Sequence, residues 1–368
     1  MAGIYVHIPF CKSRCIYCDF FSTLLLNKED VYISALIREI NRRKKYLNDE
    51  PVNTIYIGGG TPSVLKTKSI KTILNCIQSS FTVSNNAEIT IEANPGDLDL
   101  QKLQDLREIG INRLSIGIQS FDDNCLRLIG RRHTSGEAIE AVRLAQQAEF
   151  ENISIDLMYA LPLQTLEQWR HTVDTAISLN VQHVSAYCLT IEDTTPIYSL
   201  IKQGKIQPSD EDTANIMYET CADQLQQAGF IHYEVSNFCK PDFQSRHNGN
   251  YWNNTAYLGI GAAAHSYNLT SRQWNVCDID KYIKSAPPTI EHLSKQDIYN
   301  ERMMLGLRTK DGVDLTKLSP SEQQYCLGQA KQYIRQNMLR VSDNRLSVSS
   351  IKASELLNRI IIDLMKID

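Results

Sequence analysis

Up to about Tyr187 the sequence switches regularly between two hydrophobic periods, and that switching limits the fold more than any other feature. Short runs rich in β-branched residues, at 4–8, 54–57, 88–92, 113–118, 153–157 and 183–187, read as six strands. Between them, residues 28–47, 66–80, 99–109, 135–148 and 166–179 carry apolar side chains at helical spacing. Thr134, with Glu137 three residues on, reads as a capping box opening the fourth of these helices. Strand–helix repeats of this length predict parallel strands joined by helical crossovers. Six such units fit an incomplete barrel or an open sheet, and periodicity does not separate the two. In either, ligand chemistry belongs at the C-terminal strand ends.

The chain of 368 residues has room for one large domain and a smaller one. With 42% hydrophobic and 22% charged residues, it has the make-up of a globular protein with a sizeable core. Its net charge of −4, from 38 basic and 42 acidic residues, sets up no field that gathers nucleic acid or anionic membrane. Ten cysteines without a charged leader and apolar run predict a reducing, cytoplasmic setting rather than a disulfide framework. No apolar stretch approaches the roughly twenty residues that span a bilayer.

Three of the ten cysteines are clustered. Cys11, Cys15 and Cys18 stand at C-x3-C-x2-C spacing just after the first strand, close enough to converge on one metal centre from a single loop. Structural zinc sites take four ligands, often from two separated pairs, and no second close pair follows. Three thiolates on a cubane iron–sulfur cluster leave one iron without a protein ligand, open to a small molecule. This loop, with aromatic Tyr17 before its last cysteine, resembles the signature of the radical S-adenosylmethionine (radical SAM) superfamily. The resemblance implies a partial (β/α)6 TIM-like barrel. It also implies a [4Fe–4S] cluster whose fourth iron is chelated by the SAM amino and carboxylate groups, and whose reduction cleaves SAM to a deoxyadenosyl radical.

The strand ends are unusual in the way such a site requires. Strand two runs into Gly58-Gly59-Gly60-Thr61-Pro62, where the lack of side chains lets backbone groups approach a ligand. Strands three, four and five carry Glu92, Gln119 and Asp156, polar groups that burial penalises unless they meet a polar partner. Within the superfamily, the glycine run resembles the motif that holds the SAM amino group, with Thr61 following where other members have Glu. Glu92, Gln119, Asp156, Arg131 and Tyr5 match positions that contact SAM, and Tyr17, Gly59, Gly60 and Thr61 complete the implied set. The Arg131 fork suits a carboxylate.

Beyond strand six the character changes. Residues 190–212 are polar and turn-rich, and 211–228 read as a helix stopped by Gly229. Arg246-His247-Asn248-Gly249-Asn250-Tyr251-Trp252 then places a histidine four and five residues before two aromatics. That arrangement offers an axial iron ligand and flat faces for a macrocycle, or, the reading the residues alone favour, an aromatic loop that caps the barrel with its histidine bonded inside. Gly259-Ile260-Gly261-Ala262-Ala263-Ala264-His265 packs small residues for a close approach, with His265 a further polar candidate. From about Asp297 to Asp368, two helices, a hairpin turning at Asp343-Asn344 and a closing helix from Ala353 resemble a small winged-helix-like α+β domain without a concentrated basic face.

Across nearly its whole length the chain resembles the oxygen-independent coproporphyrinogen III oxidase-like group, which holds dehydrogenases and heme chaperones. The dehydrogenases carry a further cysteine two residues after the motif, where this chain has Phe20, and a long segment ahead of it, where ten residues precede Cys11. Residues 247–252 match the H-N-x-x-Y-W pattern of the chaperones. The resemblance therefore implies a cytoplasmic heme chaperone with three cofactors: a [4Fe–4S] cluster, SAM, and heme at His247, Tyr251 and Trp252. Its expected partners are a heme-acceptor protein and an electron donor, with no nucleic acid and no integral membrane segment. The alternative is radical decarboxylation of porphyrinogen propionates by a dehydrogenase. The expected division is a barrel over 1–230, an extension with the histidine motif over 231–296 and an accessory domain over 297–368.

Overall fold

The computed structural model describes residues 1–349 and 354–366. Strands β1 (Ala2–Ile8), β2 (Val52–Gly59), β3 (Val83–Ala93), β4 (Arg113–Gln119), β5 (Ile153–Tyr159) and β6 (His183–Cys188) lie side by side in chain order and run parallel. Helices Glu29–Arg42, Thr67–Ser80, Leu100–Glu108, Ser135–Gln147 and Leu166–Ser178 connect them. β1 and β6 do not pair with each other, so the six units form the expected partial barrel. The Thr134 hydroxyl accepts from the Glu137 N–H at 3.3 Å, and the Thr134 N–H donates to the Glu137 carboxylate at 2.7 Å, closing the expected capping box.

Strands in parallel sheets are usually near-continuous hydrophobic runs, because both faces are covered. Here they alternate. Ile4, Val6, Ile8, Ile55, Ile57, Leu114 and Ile116 turn outward and build the main core with the helices. The residues between them, Tyr5, Tyr56, Thr90 and Arg113, are brought into one layer by the strand register. One face of the sheet is thus oily and the other polar, and the polar face lines the interior of the barrel.

Six more strands extend the sheet, so the six countable from sequence are half of its twelve. β8 (Asn237–Cys239) adds antiparallel to β6, and β7 (Ile231–Glu234) adds antiparallel to β8 at the edge. At the other edge β9 (Tyr257–Ile260) pairs parallel with β1, followed by antiparallel β10 (His265–Tyr267), β11 (Ser271–Trp274) and β12 (Thr289–His292). Strands of three or four residues are too short to show a period, which hid them from the sequence. The small-residue run does make a close approach: a Cβ on Gly259 would lie 1.9 Å from the His265 carbonyl oxygen.

The C-terminal unit has its own core around Tyr299, Met303, Leu346 and Ile360. Helices Lys295–Gly306 and Pro320–Arg335 precede the hairpin of β14 (Leu339–Ser342) and β15 (Arg345–Val348), and β13 (Val313–Asp314) completes an antiparallel three-stranded sheet. The hairpin turns at Asp343 and Asn344, both in the left-handed region at φ 50° and 59°. Helix Ser354–Leu364 closes the unit; Ala353, its expected start, lies outside the described residues. Among the described residues no helix is long and apolar enough to cross a membrane.

Candidate cofactor-binding site

The C-terminal ends of the strands open into a cavity of about 410 Å³. On one wall is the cysteine loop, which leaves β1 at Cys11 and returns where Cys11 N–H donates to Thr23 O at 2.9 Å and Thr23 N–H to Pro9 O at 2.7 Å. Its middle is fixed by Ile16, whose N–H donates to Ile129 O at 3.2 Å and whose carbonyl accepts from Ile197 N–H at 2.9 Å. Cys11, Cys15 and Cys18 are free thiols on the cavity wall. Burial raises the pKa of Cys11 and of Cys18, so both are protonated thiols until a cationic centre draws the protons off. Among the described residues no group of three potential ligands converges on a single ion. Three thiols spread around one wall instead suit a cluster in which each takes a different iron.

The glycine turn packs directly against this loop and forms the adjoining wall. A Cβ on Gly60 would lie 2.9 Å from Cys11 Sγ and from Phe10 O, so only glycine lets β2 pass this close to the cysteine loop. The Thr61 hydroxyl donates to Cys11 Sγ at 3.4 Å. Gly59 N–H donates to Glu92 Oε2 at 2.9 Å, and the Tyr56 hydroxyl to Glu92 Oε1 at 2.8 Å. Burial pushes the Glu92 carboxyl up to about 7, even against those two bonds. Asp156, also raised by burial, accepts from the Ser115 hydroxyl at 3.3 Å. Arg131 donates to Gly117 O and, at 3.5 Å, to Cys15 Sγ. Gln119 sits at φ 74°, backbone strain of the kind that gathers at binding sites, and its buried Oε1 has no partner among the described residues.

The cavity therefore brings together Cys11, Cys15, Cys18, Tyr17, Gly59, Gly60, Thr61, Glu92, Gln119, Arg131 and Asp156 from across 145 residues of chain. Tyr5 is not on its wall; it lies behind Tyr56, 6.2 Å between ring centroids, with its hydroxyl bonded to His7 Nδ1 at 3.0 Å. His247, Tyr251 and Trp252 are not on the wall either. The motif forms a short helix, Arg246–Trp252, rather than a loop, started by Ser245 as its cap and by Glu88, whose carboxylate accepts the N–H groups of Arg246 and His247 at 3.0 Å. It plugs the barrel from below. His247 is 1% exposed and stacks on Tyr56 at 5.1 Å, with Nδ1 bonded to Thr54 Oγ1 at 2.8 Å and Nε2 to the Tyr251 hydroxyl at 3.0 Å. Burial holds its pKa down near 3, so the ring is neutral, as a metal ligand must be, but neither nitrogen is free. Trp252 is half-buried at the helix end. His265 is exposed on the outer hairpin, stacked on Trp274.

Arg113, Tyr56 and Asn248 also line the cavity and were not singled out from sequence. The strict alternation of residues 113–119, Arg-Leu-Ser-Ile-Gly-Ile-Gln, carried the signal for Arg113: its partners Leu114 and Ile116 mark the oily face, so Arg113 must point inward.

The raised Glu92 pKa has a measurable consequence in the ligand-free chain. The folded protein keeps this proton up to about pH 7, while the unfolded chain releases it at the lower pH usual for Glu, so Glu92 lowers stability progressively as pH rises between the two. Glu92→Gln stays neutral throughout. Its urea midpoint should gain on wild type from about pH 5 to about pH 7 and hold a constant lead above that. A lead independent of pH would mean that the carboxyl ionises normally.

Residues 5–176 match the radical SAM superfamily, and residues 293–350 match the HemN C-terminal domain. The chain is 41% identical over 318 residues to the heme chaperone HemW of Lactococcus lactis, covering 85% of this chain and 83% of that relative. To the heme chaperone HemW of Bacillus subtilis it is 38% identical over 321 residues, 85% of each. Among solved structures, coproporphyrinogen III oxidase (HemN) of Escherichia coli, a radical SAM enzyme, aligns with a TM-score of 0.83 over 99% of this chain and 90% of that one. At 23% identity this is a likeness of fold.

Proposed function

Because the chain belongs to the HemW heme-chaperone family within the radical SAM superfamily, we propose that it binds heme and passes it to an acceptor protein. The superfamily brings a [4Fe–4S] cluster and SAM, which together supply one-electron chemistry once an electron donor reduces the cluster. Cys11, Cys15 and Cys18 are the proposed cluster ligands. Gly59, Gly60, Thr61, Glu92, Gln119, Arg131 and Asp156 are the proposed SAM contacts, Tyr17 bounds them on the wall, and Tyr5 supports Tyr56 from behind. Residues 1–230 serve cofactor binding in this reading, 231–296 heme binding and 297–368 an accessory role, in the cytoplasm.

One observation carries the reading. The helix that holds the histidine motif also contributes Asn248 to the cavity that the thiols line, so cofactor occupancy above and heme binding below share a wall. Heme ligation by His247 requires its Nε2 to leave the Tyr251 hydroxyl. Tyr251→Phe removes that competing bond and should tighten heme binding by about twofold to tenfold, whereas His247→Ala should lose the specific Soret shift. The test is an anaerobic heme titration of cluster-reconstituted wild type and both variants, with coproporphyrinogen turnover assayed on the same samples. Unchanged titrations in both variants would remove His247 from the heme site. Turnover without specific heme binding would make the chain a dehydrogenase.

A further inference from the structure

Arg113 begins β4 and extends into the barrel, where it is 1% exposed and lines the cavity. Its Nε and Nη1 have no hydrogen-bond partner among the described residues. A buried guanidinium is among the most unfavourable groups to leave unfilled, because its charge and its donors both lose water. Of the four acidic residues that line the cavity, Asp19 and Glu192 are exposed at its mouth, and the two inside the barrel do not fill it. Glu92 is bonded to Tyr56 and Gly59, Asp156 to Ser115, and neither comes within ion-pair distance of Arg113, although both sense its charge. Arg131, the other buried cation on the wall, already donates to Gly117 O and Cys15 Sγ. Hydroxyls of Ser115 and Ser185 flank the same floor. A desolvated guanidinium with open donors, at the bottom of a cavity wide enough for a small molecule, is built to receive a planar anion through paired N–H···O bonds.

We propose that Arg113 is the carboxylate-binding residue of the cavity floor, holding one carboxylate of a ligand that reaches that floor. Two ligands of this protein class carry such a group: a tetrapyrrole with its propionates, and SAM with its α-carboxylate. The propionate source rests on the heme reading above; the SAM source does not.

The two are separated by paired ligands on the full-length protein. Hemin is compared with hemin dimethyl ester on the cluster-reconstituted protein. SAM is compared with decarboxylated SAM on the cluster-free protein, where no iron is present to chelate the carboxylate and discrimination reports a protein group. A propionate on Arg113 predicts that wild type prefers hemin over its diester by about tenfold or more, since a charge-assisted bond is lost in the ester. The SAM source predicts the same preference for SAM over its decarboxylated form. In either case Arg113→Gln brings the ratio to about one without weakening the carboxylate-free ligand, and Arg113→Lys, which keeps the charge but not the fork, leaves an intermediate ratio. Ratios near one in both wild-type comparisons overturn the proposal whether or not the variants fold, as does a folded Arg113→Gln protein that keeps the preference. If neither hemin nor its diester binds, it is the heme reading that fails, and the SAM comparison alone then decides the role of Arg113.

Discussion

Replacing any one of Cys11, Cys15 and Cys18 by alanine should leave a folded protein that reconstitutes with less than about a tenth of the wild-type iron and sulfide and no cluster absorbance. With three protein ligands for four irons, losing one leaves two irons exposed to solvent, and a cluster so held is readily lost. The fold should survive, because the loop is anchored by backbone bonds at Cys11, Ile16 and Thr23 that do not involve sulfur. Cys188 is the informative control, an exposed thiol that lines the same cavity at the end of β6. Cys188→Ala should keep full iron content. If it instead loses the cluster, the site has four thiolates and no open iron, and SAM chelation at the cluster is excluded.

The second large effect is expected far from the cavity. Glu39, on the first helix, is buried and accepts four hydrogen bonds: from Gly261 N–H at 3.0 Å, Asn275 Nδ2 at 2.8 Å, the Tyr282 hydroxyl at 2.6 Å and Arg43 Nη1 at 3.2 Å. This one carboxylate ties the barrel to the segment that carries β9 through β11. Glu39→Ala leaves the Arg43 guanidinium without its counter-charge and the Gly261 N–H and Tyr282 hydroxyl without their acceptor, while Asn275 keeps its bond to Gly261 O. It should lower unfolding stability by about 3–5 kcal/mol, read as a fall in the urea midpoint at unchanged slope. Because β9 pairs with β1 and the histidine helix lies just before it, heme binding should weaken in parallel. A change under about 1 kcal/mol would show that the four bonds are replaced by water at little cost.

Legibility in the sequence followed the range of the interaction. The first helix was expected over 28–47 and runs Glu29–Arg42; the other four of the alternating region end within a residue or two of their expected limits, and the capping box at Thr134 is formed. Those features depend on neighbours three or four residues away. The helix Arg246–Trp252 was not legible, since it has two turns, little apolar periodicity, and an N-terminus held by Glu88, some 158 residues earlier. The helix Pro196–Lys202 was hidden for a similar reason within a stretch that reads as turns.

The sequence by itself determined the parallel βα architecture, the cysteine loop and the polar strand ends, because a hydrophobic period and a ligand spacing are local quantities written along the chain. Only the tertiary structure decided what those elements enclose. It turned the polar faces of β2 through β6 toward one cavity and, among the described residues, left Nε and Nη1 of Arg113 without a partner there. It also placed His247 beneath that cavity with both ring nitrogens bonded, one of them to Thr54, 193 residues away. No spacing encodes such a contact. It exists because closing the sheet removes these side chains from water, and each must then find its partner among whatever residues the curvature brings to the same layer.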